Sequence, residues 1–201
     1  MNRQHIVRRI WHFIWEDNSI WSWLVNIVLA FVIIKFVVYP SLGILLGTSY
    51  PIVAVVSGSM EHPEDAFDDW WSRNCPEGEQ KDLYEKYGID RAVFEGFNYE
   101  DGLNKGDIVI LRSAGNAGVG DIIVFSSSAR PEPIIHRAVQ VENSAGGVFF
   151  RTKGDNNCGS ADFEKNISEN EVIGRALFRI PLLGWIKIGF VELLKIAGWS
   201  A

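Results

Sequence analysis

The chain has 201 residues, 47% of them hydrophobic, and a formal net charge of −6, which suits one domain with attachments and a buried core. The acidity is local: residues 61–104 hold 13 of the 25 acidic and 4 of the 19 basic side chains, a balance of −9 against +3 elsewhere. No basic surface for nucleic acid follows from that distribution, whereas eight tryptophans, many beside apolar runs near the chain ends, point to a membrane interface.

From the N-terminus, Ile6, Val7, Ile10, Trp11, Ile14 and Trp15 recur at helical spacing, with Arg8, Arg9 and His12 elsewhere around the turn. This pattern predicts a basic amphipathic helix on a membrane surface, too charged to be the apolar core of a cleaved signal peptide. Trp21 to Tyr39 is a near-continuous apolar run, spanning roughly 27 Å as a helix and close to the thickness of a bilayer's hydrocarbon core. Lys35 lies one turn before Tyr39, where its ammonium can snorkel to the interface. Pro40 predicts a kink or an end, and Leu42–Leu46 extends the apolar part. Arg3, Arg8 and Arg9 precede the run and the next basic residue after Lys35 is Arg73, so the positive-inside rule places the N-terminus in the cytoplasm.

The expected organisation is a cytoplasmic segment over 1–20, a transmembrane anchor over 21–46, an extracytoplasmic β domain over 50–181 and a C-terminal interfacial helix over 182–201. Within the β domain, 61–104 is expected to be an acidic helical insertion. Its first helix would open at Pro63-Glu64-Asp65 and present Ala66, Phe67, Trp70 and Trp71. A second would carry Leu83, Tyr84 and Tyr87 and stop at Gly88. From Lys105 the pattern is of strands between glycine turns, with near-repeats at Gly106–Leu111 and Gly120–Phe125, then Ile134–Val141, Gly147–Thr152 and Val172–Ile180. This is a mainly β fold, an all-β sheet closed or nearly so. After Pro181, Lys187, Glu192 and Lys195 fall on one arc of a helix otherwise apolar, which suits an interface better than a second span.

The chemistry centres on Val53-Ala54-Val55-Val56-Ser57-Gly58-Ser59-Met60. A β-branched strand would present the Ser57 and Ser59 hydroxyls to one face, with Gly58 leaving room for another backbone. A serine nucleophile needs a base. His5 and His12 fall on the cytoplasmic side, which leaves His136, opposite its apolar neighbour Ile135, and His62, expected to be solvated. Asp155 and Asp162 offer carboxylates in the run from Thr152. Asp107 and Asp121, each after a turn glycine, are expected to form turns. His62, His136, Cys75 and Cys158 lack zinc-site spacing, so neither metal nor cofactor is expected.

Ser57-Gly58-Ser59-Met60-Glu61, Gly106-Asp107-Ile108-Val109, His136-Arg137 and Lys153-Gly154-Asp155-Asn156-Asn157, in that order after one anchor, resemble type I signal peptidases. A histidine at position 136, where bacterial members carry lysine, places the resemblance with the archaeal and endoplasmic-reticulum branch, which uses a Ser-His-Asp arrangement. The resemblance implies a serine endopeptidase that removes signal peptides from secretory and membrane precursors, with a signal-peptidase-like all-β catalytic domain. Ser59 would be the nucleophile, His136 the base and Asp162 the orienting carboxylate, with Asp155 as support. Ser57 and the Ser59 N–H would form the oxyanion hole, and Ser160 would support the base. Lys153 and Lys105 are the fallback bases. His62 stands before Pro63 where the family has proline directly after Met-Glu, and the insertion is long.

The partners expected are signal-peptide-bearing precursors, the lipid bilayer, and a secretion translocon or other peptidase subunits. An archaeal plasma membrane is favoured over endoplasmic reticulum. An extracytoplasmic site allows a Cys75–Cys158 disulfide, which would tie the insertion, as a lid, to the Asp155–Asp162 loop. The alternatives are a non-catalytic membrane subunit that binds precursors, and a membrane protease of the same chemistry with other substrates.

Overall fold

The computed structural model describes residues 3–63 and 66–196, and the chain divides into two compact units between Leu45 and Leu46. In the first, α1 (Arg3–Trp15) is followed by α2 (Ile20–Ile33). Ser19 caps α2 by accepting from Ser22 N–H, Ser22 Oγ donates to Phe13 O, and Asn26 Nδ2 donates to Ile14 O at 2.9 Å. These bonds satisfy the carbonyls at the end of α1, which a helix terminus otherwise leaves open. The helix runs on through a π turn (Ile34–Val38) into α3 (Tyr39–Leu46), 27 residues from Ile20 to Leu46 and apolar enough to cross a membrane. Pro40 neither ends the helix nor stands alone. Its ring would meet the carbonyl four residues back, and the widened turn, with Tyr39 N–H on Ile34 O, makes room for it.

In the second unit the strands are β1 (Ile52–Ala54), β2 (Asn74–Cys75), β3 (Gly78–Glu79), β4 (Ile108–Arg112), β5 (Ile122–Ser127), β6 (Arg130–Ser144), β7 (Gly147–Lys153), β8 (Ile167–Ser168) and β9 (Val172–Ile180). Seven of them form one antiparallel sheet in the order β1-β4-β9-β5-β6-β7-β8. Its described pairings leave two edges, β1 and β8, so of the closed or nearly closed sheet expected, the ladder is not fully closed. The central strand β5 is buried on both faces, which explains its unbroken apolar run. Ile122 and Val124 pack with Val55, Met60, Leu103, Val109 and Leu111, while Ile123 and Phe125 pack with Ile134, Ala138, Phe150 and Ile167. After β9 comes α7 (Trp185–Ile196). Trp185 lies so close over Gly106 that a Cβ there would sit 2.1 Å from its Nε1; only glycine allows that approach, at a φ of +94°. The last five residues of the expected interfacial helix lie outside the described residues.

The acidic insertion is helical as expected, with α4 (Phe67–Trp71), α5 (Gln80–Glu85) and α6 (Arg91–Phe94) around the β2–β3 hairpin. Its first helix starts at Phe67; Glu64 and Asp65 lie outside the described residues. Trp70, Trp71, Tyr84, Ile89 and Phe94 form an aromatic core that β6 joins through Val139. The ends of the insertion meet at a Glu61–Gly102 bridge, so the segment leaves and returns at one point beside the Ser59 turn.

Cys75 and Cys158 are disulfide-bonded across a sequence separation of 83. Closing a loop of that length removes much of the unfolded chain's freedom. The Cys75→Ser/Cys158→Ser variant is therefore expected to lose about 2–5 kcal/mol, measured as a lower denaturant midpoint. An unchanged midpoint would contradict this.

Candidate active site

β1 ends at Ala54, and Ser57–Met60 form a turn closed by Glu61 N–H on Gly58 O. The serines therefore sit on a turn beyond the strand that the sequence predicts for them, yet their hydroxyls still converge, with the Oγ atoms 3.2 Å apart. On β6, Ile134, His136 and Ala138 alternate with Ile135, Arg137 and Val139, and successive side chains take opposite faces. His136 reaches toward the Ser59 turn with Nε2 3.0 Å from Ser59 Oγ, whereas Arg137 turns toward the insertion.

The carboxylate on His136 is that of Glu164, whose Oε1 is hydrogen-bonded to Nδ1. Asp162, expected in that role, points to solvent with its side chain 96% exposed and pairs with Lys165. The cause is a single 3₁₀ turn over Asp162–Glu164: at about three residues per turn, positions 162 and 164 face different ways. Glu164 also accepts from Thr152 Oγ1 at 3.1 Å and from Ala161 N–H at 2.8 Å. Burial opposes its charge, but the bonds from His136, Ala161 and Thr152 outweigh that and hold its carboxyl below the usual range. A carboxylate only accepts, so Nδ1 carries the proton and Nε2 of the neutral ring accepts from Ser59. Sequence reasoning missed Glu164 because Asp155 and Asp162 lay nearer the motif. Ser160 donates to Thr152 O at 2.6 Å; it steadies β7 and makes no bond to His136.

Asp155 is fully buried on the other face of β6. It accepts from Arg137 Nε and Nη2, from Tyr84 Oη at 2.8 Å, and lies 3.3 Å from His62 Nε2. Burial raises its pKa, yet Arg137 and His62 more than reverse this and hold the carboxyl well below the carboxylate range. His62 is not solvated: its side chain is 8% exposed and its ring stacks on Trp70 at 3.7 Å. Asp107 and Asp121 do form turns, accepting from Asn104 and Gly118 N–H. Gly154 is needed for close approach, since a Cβ there would lie 2.7 Å from Ser59 O and 2.8 Å from His136 Nε2.

A groove of ≈ 420 Å³ runs between the Ala54–Ser59 segment and the start of β6, lined by Val56, Ser57, Ser59, Ile135, His136 and Phe163 among others. Strand β1 is a sheet edge, so an extended peptide can lie along this side and pair with backbone. A hydroxyl on a carboxylate-held imidazole, at the foot of a peptide-sized groove, is the arrangement of a serine hydrolase.

No family model matches the chain. It is 27% identical over 164 residues to the signal peptidase complex catalytic subunit SEC11 of Scheffersomyces stipitis, 78% of this chain and 75% of that one. With the SEC11 subunit of Saccharomyces cerevisiae (strain YJM789) it shares 36% over 118 residues, 51% of this chain and 70% of the relative. The Schizosaccharomyces pombe subunit is 40% identical over 81 residues, 37% of this chain and 43% of that one. The chain belongs to the family of signal peptidase catalytic subunits. These relatives are fungal proteins named as subunits of a complex, and they give no support to the archaeal plasma membrane favoured from the sequence.

Lys153 is buried beside the site, its Nζ donating to Gly154 O at 3.2 Å and lying over the Tyr84 ring. Burial pushes it down to about 7. Its proton is held less tightly folded than unfolded, so stability rises with pH from about 7 toward the ordinary lysine value of about 10.4. Below about 7 the whole penalty is present, up to about 5 kcal/mol. Relative to the wild type, Lys153→Met is therefore expected to gain most stability near pH 6 and least near pH 10. A difference in denaturant midpoint that ignores pH would contradict this.

Proposed function

We propose that this chain is a membrane-bound serine endopeptidase that removes N-terminal signal peptides from secretory and membrane precursors. The observation that carries the chemistry is the Ser59 Oγ to His136 Nε2 contact of 3.0 Å, with Glu164 behind the ring. Ser59 attacks the scissile carbonyl, forming the Oγ–C bond as its proton passes to Nε2. When the C–N bond breaks, Nε2 gives that proton to the leaving amine, and water then releases the acyl group by the reverse assistance. Glu164 takes the place expected for Asp162; it fixes the tautomer and stabilises the imidazolium. The Ser59 N–H and Ser57 hydroxyl would meet the developing oxyanion.

The anchor supports the choice of substrate. Twelve residues lie between Leu46 and Ser59, a short tether that suits a substrate itself held in a membrane. A precursor segment adding beside β1 would set small side chains at positions −1 and −3 against the groove wall. The relatives named as subunits of a peptidase complex support assembly with other subunits. The catalytic contact favours this reading over a non-catalytic subunit that only binds precursors.

The test is cleavage of a precursor bearing a small-x-small site, in detergent or liposomes. Ser59→Ala and His136→Ala are each expected to lose at least about 10³-fold in kcat, while Asp162→Asn stays within about twofold, as an exposed side chain should. Cleavage that survives His136→Ala, or is lost in Asp162→Asn, would contradict the assignment.

A further inference from the structure

Asn156 ties the insertion to the nucleophile turn, whose Gly58 carbonyl also accepts from Glu61 N–H. Asn156 makes four hydrogen bonds, two on each side. Toward the nucleophile turn, its Nδ2 donates to Gly58 O at 2.9 Å and its N–H to Ser59 O at 2.9 Å. Toward the insertion, its Oδ1 and its carbonyl O accept from Arg73 Nη1 and Nη2, the latter at 2.8 Å. Two residues on from Arg73, Cys75 is bonded to Cys158, two residues on from Asn156. The insertion thus grips this loop at two points spaced alike on both strands of chain.

Gly58 O and Ser59 N–H belong to the same peptide unit, in which the two atoms point in opposite directions across a trans plane. Holding the carbonyl therefore aims the N–H. That N–H is the oxyanion donor of the mechanism above, and such donors act only when aligned in advance. An asparagine amide can turn over and exchange its oxygen for its nitrogen. The forked guanidinium on Oδ1 and O forbids this and leaves Nδ2 facing Gly58. We propose that Arg73, carried by the acidic insertion, is a positioning residue for peptide-bond cleavage: it locks Asn156, which orients the 58–59 peptide and with it the oxyanion donor. The insertion is then part of the catalytic apparatus rather than a decoration. This rests on the reading of Ser59 as nucleophile.

The discriminating variant is Asn156→Asp. It retains an acceptor for Arg73, so the fold and thermal midpoint are held, but it has no donor for Gly58 O. The expected result is a kcat lower by about 10–100-fold with KM within about twofold, since the lost alignment matters only in the transition state. Arg73→Gln is expected to lose about as much, Arg73→Lys to recover part of it, and Arg73→Gln added to Asn156→Asp to lose little more. Wild-type kcat in Asn156→Asp, or losses that multiply in the double variant, would overturn the proposal. Amide hydrogen exchange gives a reading without cleavage: protection of the Asn156 N–H should fall in Arg73→Gln, and unchanged protection would overturn it too. Undiminished cleavage by Ser59→Ala would instead sink the nucleophile assignment, and the exchange result would still stand by itself.

Discussion

The buried ion pair between Arg137 and Asp155 is the interaction on which the site's geometry depends. Arg137 has no exposed surface, and its donors reach Asp155, Asn98 O, Gly120 O and Tyr99 O. It therefore joins strand β6, the loop after β7, the end of the insertion and the turn before β5. Either charge left alone in the interior costs about 3–5 kcal/mol. Both charges here are compensated, and Phe94 stacks under the guanidinium at 4.9 Å. His136 is the preceding residue on the strand, so whatever fixes Arg137 fixes the register of His136. The pair also explains why Asp155 does not orient His136: Arg137, Tyr84 and His62 already occupy its oxygens, on the opposite face of β6.

The insertion and the sheet are bound together at this point. Gln80 donates to Asp155 O and Tyr84 to its carboxylate, while Arg73 and Cys75 hold Asn156 and Cys158. An aromatic core shields these bonds from water, which strengthens them. A segment whose composition alone looks like a solvated acidic loop is thus folded around polar contacts that end one peptide away from Ser59.

Much of this was legible in the sequence where the physical signal is local. The apolar run declared the long apolar helix, the glycine-bounded β-branched runs declared the strands, and alternation around Ile135 aimed His136 away from its apolar neighbour. What failed was set by partners distant in the chain. His62 looked exposed because it leads into the acidic insertion; its partners include Trp70 and, 93 residues on, Asp155. Asp162 was implied by the family resemblance, but a 3₁₀ turn decides which of 162 and 164 faces inward, and no residue pattern there announces it. Pro40 marked a distortion correctly; that a π turn absorbs it depends on the carbonyl geometry one turn earlier.

The proposed chemistry rests on a single chain of hydrogen bonds from Glu164 through His136 to Ser59. The most direct measurement is single-turnover cleavage by Glu164→Gln, alongside a thermal midpoint to show that the protein is folded. The amide keeps the shape but not the charge: with its oxygen on Ala161 N–H its nitrogen faces Nδ1 and favours the other tautomer, and in neither orientation does it stabilise the imidazolium. The expected result is a rate lower by about 10²–10⁴-fold in a protein that still binds precursor. A folded Glu164→Gln protein that cleaves at the wild-type rate would contradict it.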